Sequence, residues 1–234
     1  MLTFGGRAQT AALLVAFSAC EPHLVEVQVA SEDPAFLRDE RRMLQGLADS
    51  AARDVRVHLP SLPKKVTLVV QPGKDVIAET GETATAVLPA SVYWTVDPDR
   101  DVRSIVRKEL RPTLFHELHH LARDARVPRA SLMDSVVTEG LATVFERDFG
   151  NVNPPWGTAP PEVMEWTREL LAQPDNAPRD AWLFRHPDGR RWIGLRVGTF
   201  LVDRAMKASG RSSAELVTTP TAEILRLADV PREK

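Results

Sequence analysis

Thr113-Leu114-Phe115-His116-Glu117-Leu118-His119-His120-Leu121-Ala122-Arg123 is the stretch on which the fold turns. On an α-helix, residues four apart lie about 40° apart on one face and one turn from each other, so the His116 and His120 imidazoles can meet one ion. Glu117 projects about 100° further round, where it can reach a metal-bound water without crowding the two ligands. The pattern H-E-x-x-H therefore offers two zinc ligands, His116 and His120, and a general base, Glu117.

A catalytic zinc site normally takes three protein ligands plus a water. Glu139 stands 18 intervening residues beyond His120, inside a second expected helix running from Leu132 to Phe149. The turn at 127–131 between the two helices would let Glu139 come alongside the histidine pair as a third metal ligand. Taken by itself, a glutamate at that position reads as readily as a solvated helix residue. His119 points to another part of the helix and reads as a packed or hydrogen-bonded histidine. Arg123 returns to within about 20° of His116, so it is expected either to hold a carboxylate behind the ligands or to form a surface ion pair.

Outward from this segment, the pattern upstream alternates between strand and helix. Leu24 to Val29 alternates apolar and polar residues as a first strand. Asp33-Pro34 supplies an N-cap and a first-turn proline. From Phe36 to Val55 the apolar residues recur at three and four, which predicts an amphipathic helix ending before Pro60 and Pro63. Val66–Val70, Ala84–Leu88 and Val92–Val96 are three more strands, punctuated by Pro72-Gly73 and Pro89. Beyond Asp97-Pro98 the pattern is helical: 102–110, then 113–126 with Pro112 marking a start or a kink, followed by 132–149, 161–171, 192–208 and a short helix through Ile224-Leu225. This order predicts one α+β domain, a small mixed sheet beside a helical lobe.

Composition limits the alternatives. The 234 residues carry 30 basic and 32 acidic side chains and 43% hydrophobic residues, ordinary values for a folded globular chain. With a formal charge of -2 and no basic cluster interleaved with aromatics, no nucleic-acid partner is expected. Residues 1–19 have the shape of a signal peptide: one charge at Arg7, an apolar run Ala11–Phe17, then Ser18-Ala19 before the single cysteine, Cys20. That ending resembles a bacterial lipobox, with Phe17 in place of the usual Leu. It implies a lipidated Cys20, a tether and first strand over 20–31, and a mature domain over 32–234 anchored to a membrane of the cell envelope. An ordinary cleaved signal, or an apolar helix with a buried cysteine, would read similarly.

His116-Glu117-Leu118-His119-His120-Leu121-Ala122-Arg123, then Glu139-Gly140-Leu141-Ala142, together resemble the YjaZ-like family of predicted zinc-dependent proteases. Trp182-Leu183-Phe184 and Trp192-Ile193-Gly194-Leu195-Arg196-Val197-Gly198 resemble that family's C-terminal half. These proteins group with the gluzincins, whose third zinc ligand is a glutamate. The resemblance spans about residues 65–208 and implies a zincin-like (minigluzincin) fold, a Zn²⁺ cofactor and a peptide or protein substrate. It also implies His116, His120 and Glu139 as ligands and Glu117 as base. Leu195 departs from the pattern where members often carry a tyrosine, which leaves the oxyanion partner open among His186, Arg190, Arg191 and Arg196. The rival expectation is a non-catalytic zincin-fold lipoprotein that binds metal or serves as a scaffold. No motif for gripping a free amine is present, so an endopeptidase is expected over an aminopeptidase.

Overall fold

A computed structural model describes residues 23–229; the signal-peptide and Cys20 expectations lie outside the described residues. Strand β1 (Val25–Val29) leads into helix α1 (Arg41–His58), followed by β2 (Val66–Pro72), β3 (Glu82–Val87) and β4 (Ser91–Val96). Five of the remaining elements are α2 (Val102–Asp124), α3 (Leu132–Gly150), α4 (Val163–Leu171), α5 (Arg179–Leu183) and α6 (Ile193–Ser209). Helix α7 (Thr221–Ala228) comes last. The class is α+β, with a mixed four-stranded sheet in the order β1-β2-β4-β3.

β1, β2 and β4 run parallel, and β3 closes the sheet antiparallel to β4. Alternation sets which face is covered. Val66, Leu68 and Val70 of β2 and Val92, Trp94 and Val96 of β4 are fully buried, and they belong to one core with Leu44, Ala48, Ala51 and Val55 of α1. The first strand expected within 20–31 is present as β1 and pairs parallel with β2 as part of the sheet. Asp49 of α1 accepts hydrogen bonds from the Leu24 and Val25 amides at 2.8 and 3.1 Å, which ties β1 down onto the helix.

Two local expectations are corrected. The first helix begins at Arg41 and not at Phe36, because Leu37 takes a left-handed backbone with φ 59°, which interrupts a right-handed helix. Asp33 still accepts from the Ala35 amide at 2.8 Å, but it shapes a turn and not the α1 start. Pro112 neither starts nor divides a helix: α2 is continuous from Val102 to Asp124 with Pro112 inside it. The proline removes one amide donor, and burial of α2 between sheet and helices outweighs that loss. From Leu114 to Arg123 every residue of α2 is buried. A helix covered on all sides needs no apolar stripe, which explains why polar residues can face inward here.

The helical side is organised by a backbone contact. A Cβ added at Gly140 on α3 would lie 2.1 Å from the Gly198 carbonyl carbon, and one at Gly198 on α6 would lie 2.1 Å from the Val136 carbonyl oxygen. The two helices therefore cross at glycine on each side, and α3 is held at a fixed depth beside α2. Among the described residues no helix is long and apolar enough to cross a membrane.

Candidate metal centre

The histidines sit on the buried middle of α2, and α3 passes alongside it with Glu139 one residue before the Gly140 crossing. A capping box formed by Ser131 and Asp134 starts α3, so its register relative to α2 is set close to the ligand. His116 Nε2 lies 3.3 Å from Glu139 Oε2, and His120 Nε2 lies 3.4 Å from the same oxygen. Ligand atoms of all three residues fall within 4.8 Å of one another. Zinc bonds of about 2.0–2.2 Å to nitrogen and oxygen, at tetrahedral angles, separate neighbouring ligand atoms by about 3.3 Å. The donor set, two imidazoles and one carboxylate, and its spacing both suit zinc.

Behind two of these donors the polar atoms are also occupied, while His120 Nδ1 is buried with no hydrogen-bond partner among the described residues. His116 Nδ1 lies 3.1 Å from Glu146 Oε2, the carboxylate–histidine arrangement that fixes an imidazole's orientation behind a metal. Arg129 Nη1 donates to Glu139 Oε1 at 2.9 Å, and the rest of the guanidinium grips Asp124 through Nε and Nη2 at 3.0 and 2.8 Å. Neither Glu146 nor Arg129 was singled out from sequence. Glu146 had a usable signal, since it follows Glu139 by seven residues, two turns on the same helix face. Arg129, in the turn between α2 and α3, had none.

Arg123 departs from both expectations held for it. It is completely buried, and it holds no carboxylate. Its guanidinium donates to Thr138 Oγ1 at 3.0 Å and to the Val217 and Thr219 carbonyls at 2.8 and 3.0 Å. It thereby pins the segment before α7 onto α2. The carboxylate-holding role falls to Arg129. His119 is buried with its ring 5.3 Å from the Phe145 ring, packed as expected.

Burial and charge separate the titrations of these groups. Burial pushes the Glu117 carboxyl up to about 7, opposed by His116 and reinforced by the Glu139 charge. Burial acts the same way on Glu139, but His120, His116 and Arg129 together hold that carboxyl well below the usual range. Burial lowers His120 to about 4. His116 goes the other way: burial is overcome by its two carboxylate neighbours, which favour its charged form. Ligation of a cation requires that proton to leave, so uptake should release protons and weaken in acid.

These groups open into a cleft of about 620 Å³. Its rim is the outer strand β3, with Thr83 to Ala86 facing the space, and its far wall is apolar: Trp156, Leu183, Phe184, Trp192 and Leu195. The Trp156 and Trp192 rings stand 4.8 Å apart, and Phe184 meets Trp192 edge-on at 6.0 Å. Leu195 occupies this wall, while the single tyrosine, Tyr93, is on β4 and does not line the cleft. None of His186, Arg190, Arg191 and Arg196 lines it either. Arg190 is paired with Glu169 and Asp188, Arg191 with Glu79, and Arg196 donates to the Pro155 carbonyl. The arginines that do line the cleft are Arg129 and Arg179.

No curated protein and no solved structure matches the chain. A family model described as "Predicted Zn-dependent protease" (DUF2268) matches residues 43–226, from the start of α1 into α7 and across every residue of the cluster. The chain belongs to that family of predicted zinc-dependent proteases.

Proposed function

We propose that the chain is a zincin-like peptidase that hydrolyses peptide bonds, with His116, His120 and Glu139 as zinc ligands and Glu117 as general base. The observation that carries this reading is the convergence of the three ligand atoms within 4.8 Å beside a buried carboxylate, Glu117, that no side chain among the described residues hydrogen-bonds, in an open cleft. Zinc held there supplies a Lewis acid and lowers the pKa of its water from 15.7 to about 7. Glu117 accepts a proton from the attacking water as its oxygen bonds to the peptide carbonyl carbon. When the C–N bond breaks, Glu117 returns that proton to the departing amine nitrogen. A carboxyl drawn up toward neutrality by burial is suited to both halves of this transfer.

Strand β3 is the outer strand next to the cleft, and its outward backbone groups meet no further strand among the described residues. An extended substrate would add along it as one more strand, with the carbonyl to be cleaved over the histidine pair. This edge-binding mode requires no grip on a chain terminus, which favours internal cleavage. We also propose that the chain is exported and tethered to a membrane of the cell envelope through a lipid on Cys20, which mass spectrometry of the native N-terminus would test.

The deciding experiment compares bound zinc and hydrolysis of an unstructured protein in wild type and Glu117→Ala. Zinc retained with hydrolysis abolished is the expected result. Hydrolysis that survives Glu117→Ala removes the assignment. Wild-type protein that binds zinc and cleaves nothing supports the non-catalytic metal-binding reading, which Leu195, in the place of a tyrosine, favours.

A further inference from the structure

We propose that Arg129 is a positioning residue that presents a single oxygen of Glu139 to the histidine pair; this rests on the zinc site proposed above. The two oxygens of Glu139 have divided tasks. Oε1 accepts from Arg129 Nη1 at 2.9 Å, and Oε2 faces both histidine Nε2 atoms at 3.3 and 3.4 Å. A carboxylate on a flexible side chain would otherwise be free to turn, offering either oxygen or both. The Arg129 hydrogen bond removes that freedom and adds a fixed charge on the side away from the ligands.

Arg129 is itself held on every side. One edge of the guanidinium binds Asp124 at the end of α2 through two parallel hydrogen bonds of 3.0 and 2.8 Å. Its backbone carbonyl accepts from Arg179 Nη2 at 3.0 Å. The next two amides, Ala130 and Ser131, donate to Asp134 at 3.1 and 2.8 Å. The short loop from α2 to α3 thus carries one side chain to the ligand and clamps it from both ends. Only a planar fork can hold Asp124 and reach Glu139 at once. A lysine offers one point charge and can satisfy one carboxylate well.

A residue that only braced the loop would affect stability and leave the metal alone, so zinc affinity is the discriminating readout. Zinc affinity is measured by competition with a chromophoric chelator for wild type, Arg129→Met, Arg129→Lys and His116→Ala, alongside the visible spectrum of each protein loaded with cobalt(II). The melting temperature of the metal-free form is recorded for each. Arg129→Met is expected to weaken zinc by about 10- to 100-fold and to alter the cobalt spectrum. Arg129→Lys should recover part of the affinity, and it keeps the test valid if the methionine variant does not fold. Arg129 variants that bind zinc within twofold of wild type, with an unchanged cobalt spectrum, overturn the proposal, while loss of zinc in His116→Ala shows that the metal site itself stands. Wild-type protein that takes up no zinc overturns both.

Discussion

The α2 floor of the cleft and the β3 rim above it each bury a carboxyl that faces the same space. Burial pushes both Glu117 and Glu82 up to about 7. Their surroundings differ. Glu82 Oε2 accepts from Trp94 Nε1 at 2.6 Å and from Thr113 Oγ1 at 3.2 Å, so its side chain is locked between β4 and α2. Glu117 receives no hydrogen bond from any side chain among the described residues, only one from the Ala86 backbone amide, and lies one residue from a proposed ligand. An elevated carboxyl pKa therefore does not by itself identify a base; the difference lies in whether side chains of two elements lock the carboxyl or leave it able to exchange a proton in the cleft.

The strongest test of this contrast is the same isosteric change at both positions. Glu117→Gln should lower hydrolysis by about 10³-fold, the middle of what general acid–base catalysis contributes, with zinc still bound. Glu82→Gln should lose only a small fraction of that, since an amide oxygen can still accept from Trp94 and Thr113. Equal losses in turnover at the two positions would erase the distinction between floor and rim.

A smaller but still large effect should come from the support of the floor. Glu139, the proposed third ligand, is carried by α3, whose depth depends on the Gly140–Gly198 crossing, while β3 rests on β4 and α2. Gly198→Ala would put a methyl 2.1 Å from the Val136 carbonyl oxygen and 2.9 Å from Gly140 Cα. Forcing the helices apart should cost about 3 kcal/mol, a fall of roughly 10 °C in Tm, and should weaken zinc in the molecules that remain folded. Unchanged zinc affinity in a folded Gly198→Ala protein would mean that Glu139 does not depend on the depth of α3.

How much of this could be read from sequence depends on how local each feature is. The strands and most helices follow periodicities of two and 3.6 residues, and the histidine pair is a single turn of one helix. Glu139 needed one further step, a guess that two consecutive helices lie together. Arg129 needed the loop's path, the Asp124 anchor and the Arg179 brace, all tertiary, so no spacing pointed to it. Arg123 shows the converse. Its angle on the helix wheel was close to that of His116, but the segment at 217–221 folds back over that face and takes up the guanidinium. Leu37 and Pro112 deceived for a similar reason: one takes a backbone conformation its residue type disfavours, and the other is tolerated because the helix around it is buried.

The least drastic prediction concerns pH and distinguishes the rim from the floor without any substrate. The Glu82 carboxyl titrates near 4.5 when unfolded and at about 7 when folded, so folding favours its protonated form. Its contribution is fully favourable below about pH 4.5 and is lost as pH rises through 7, leaving wild type with a penalty that approaches about 3 kcal/mol in mildly alkaline solution. Glutamine carries no charge at any pH, so Glu82→Gln should gain stability over wild type from pH 5 to about pH 7 and level off above it, through pH 8.5. At pH 5 the two should melt within a few degrees of each other. Thermal melts of the metal-free proteins across that range measure the difference directly, and because zinc is absent the proposed metal site does not enter. Parallel stability curves for the two proteins would mean that Glu82 titrates as an ordinary carboxylate. The elevated titration facing the cleft would then belong to the α2 floor alone.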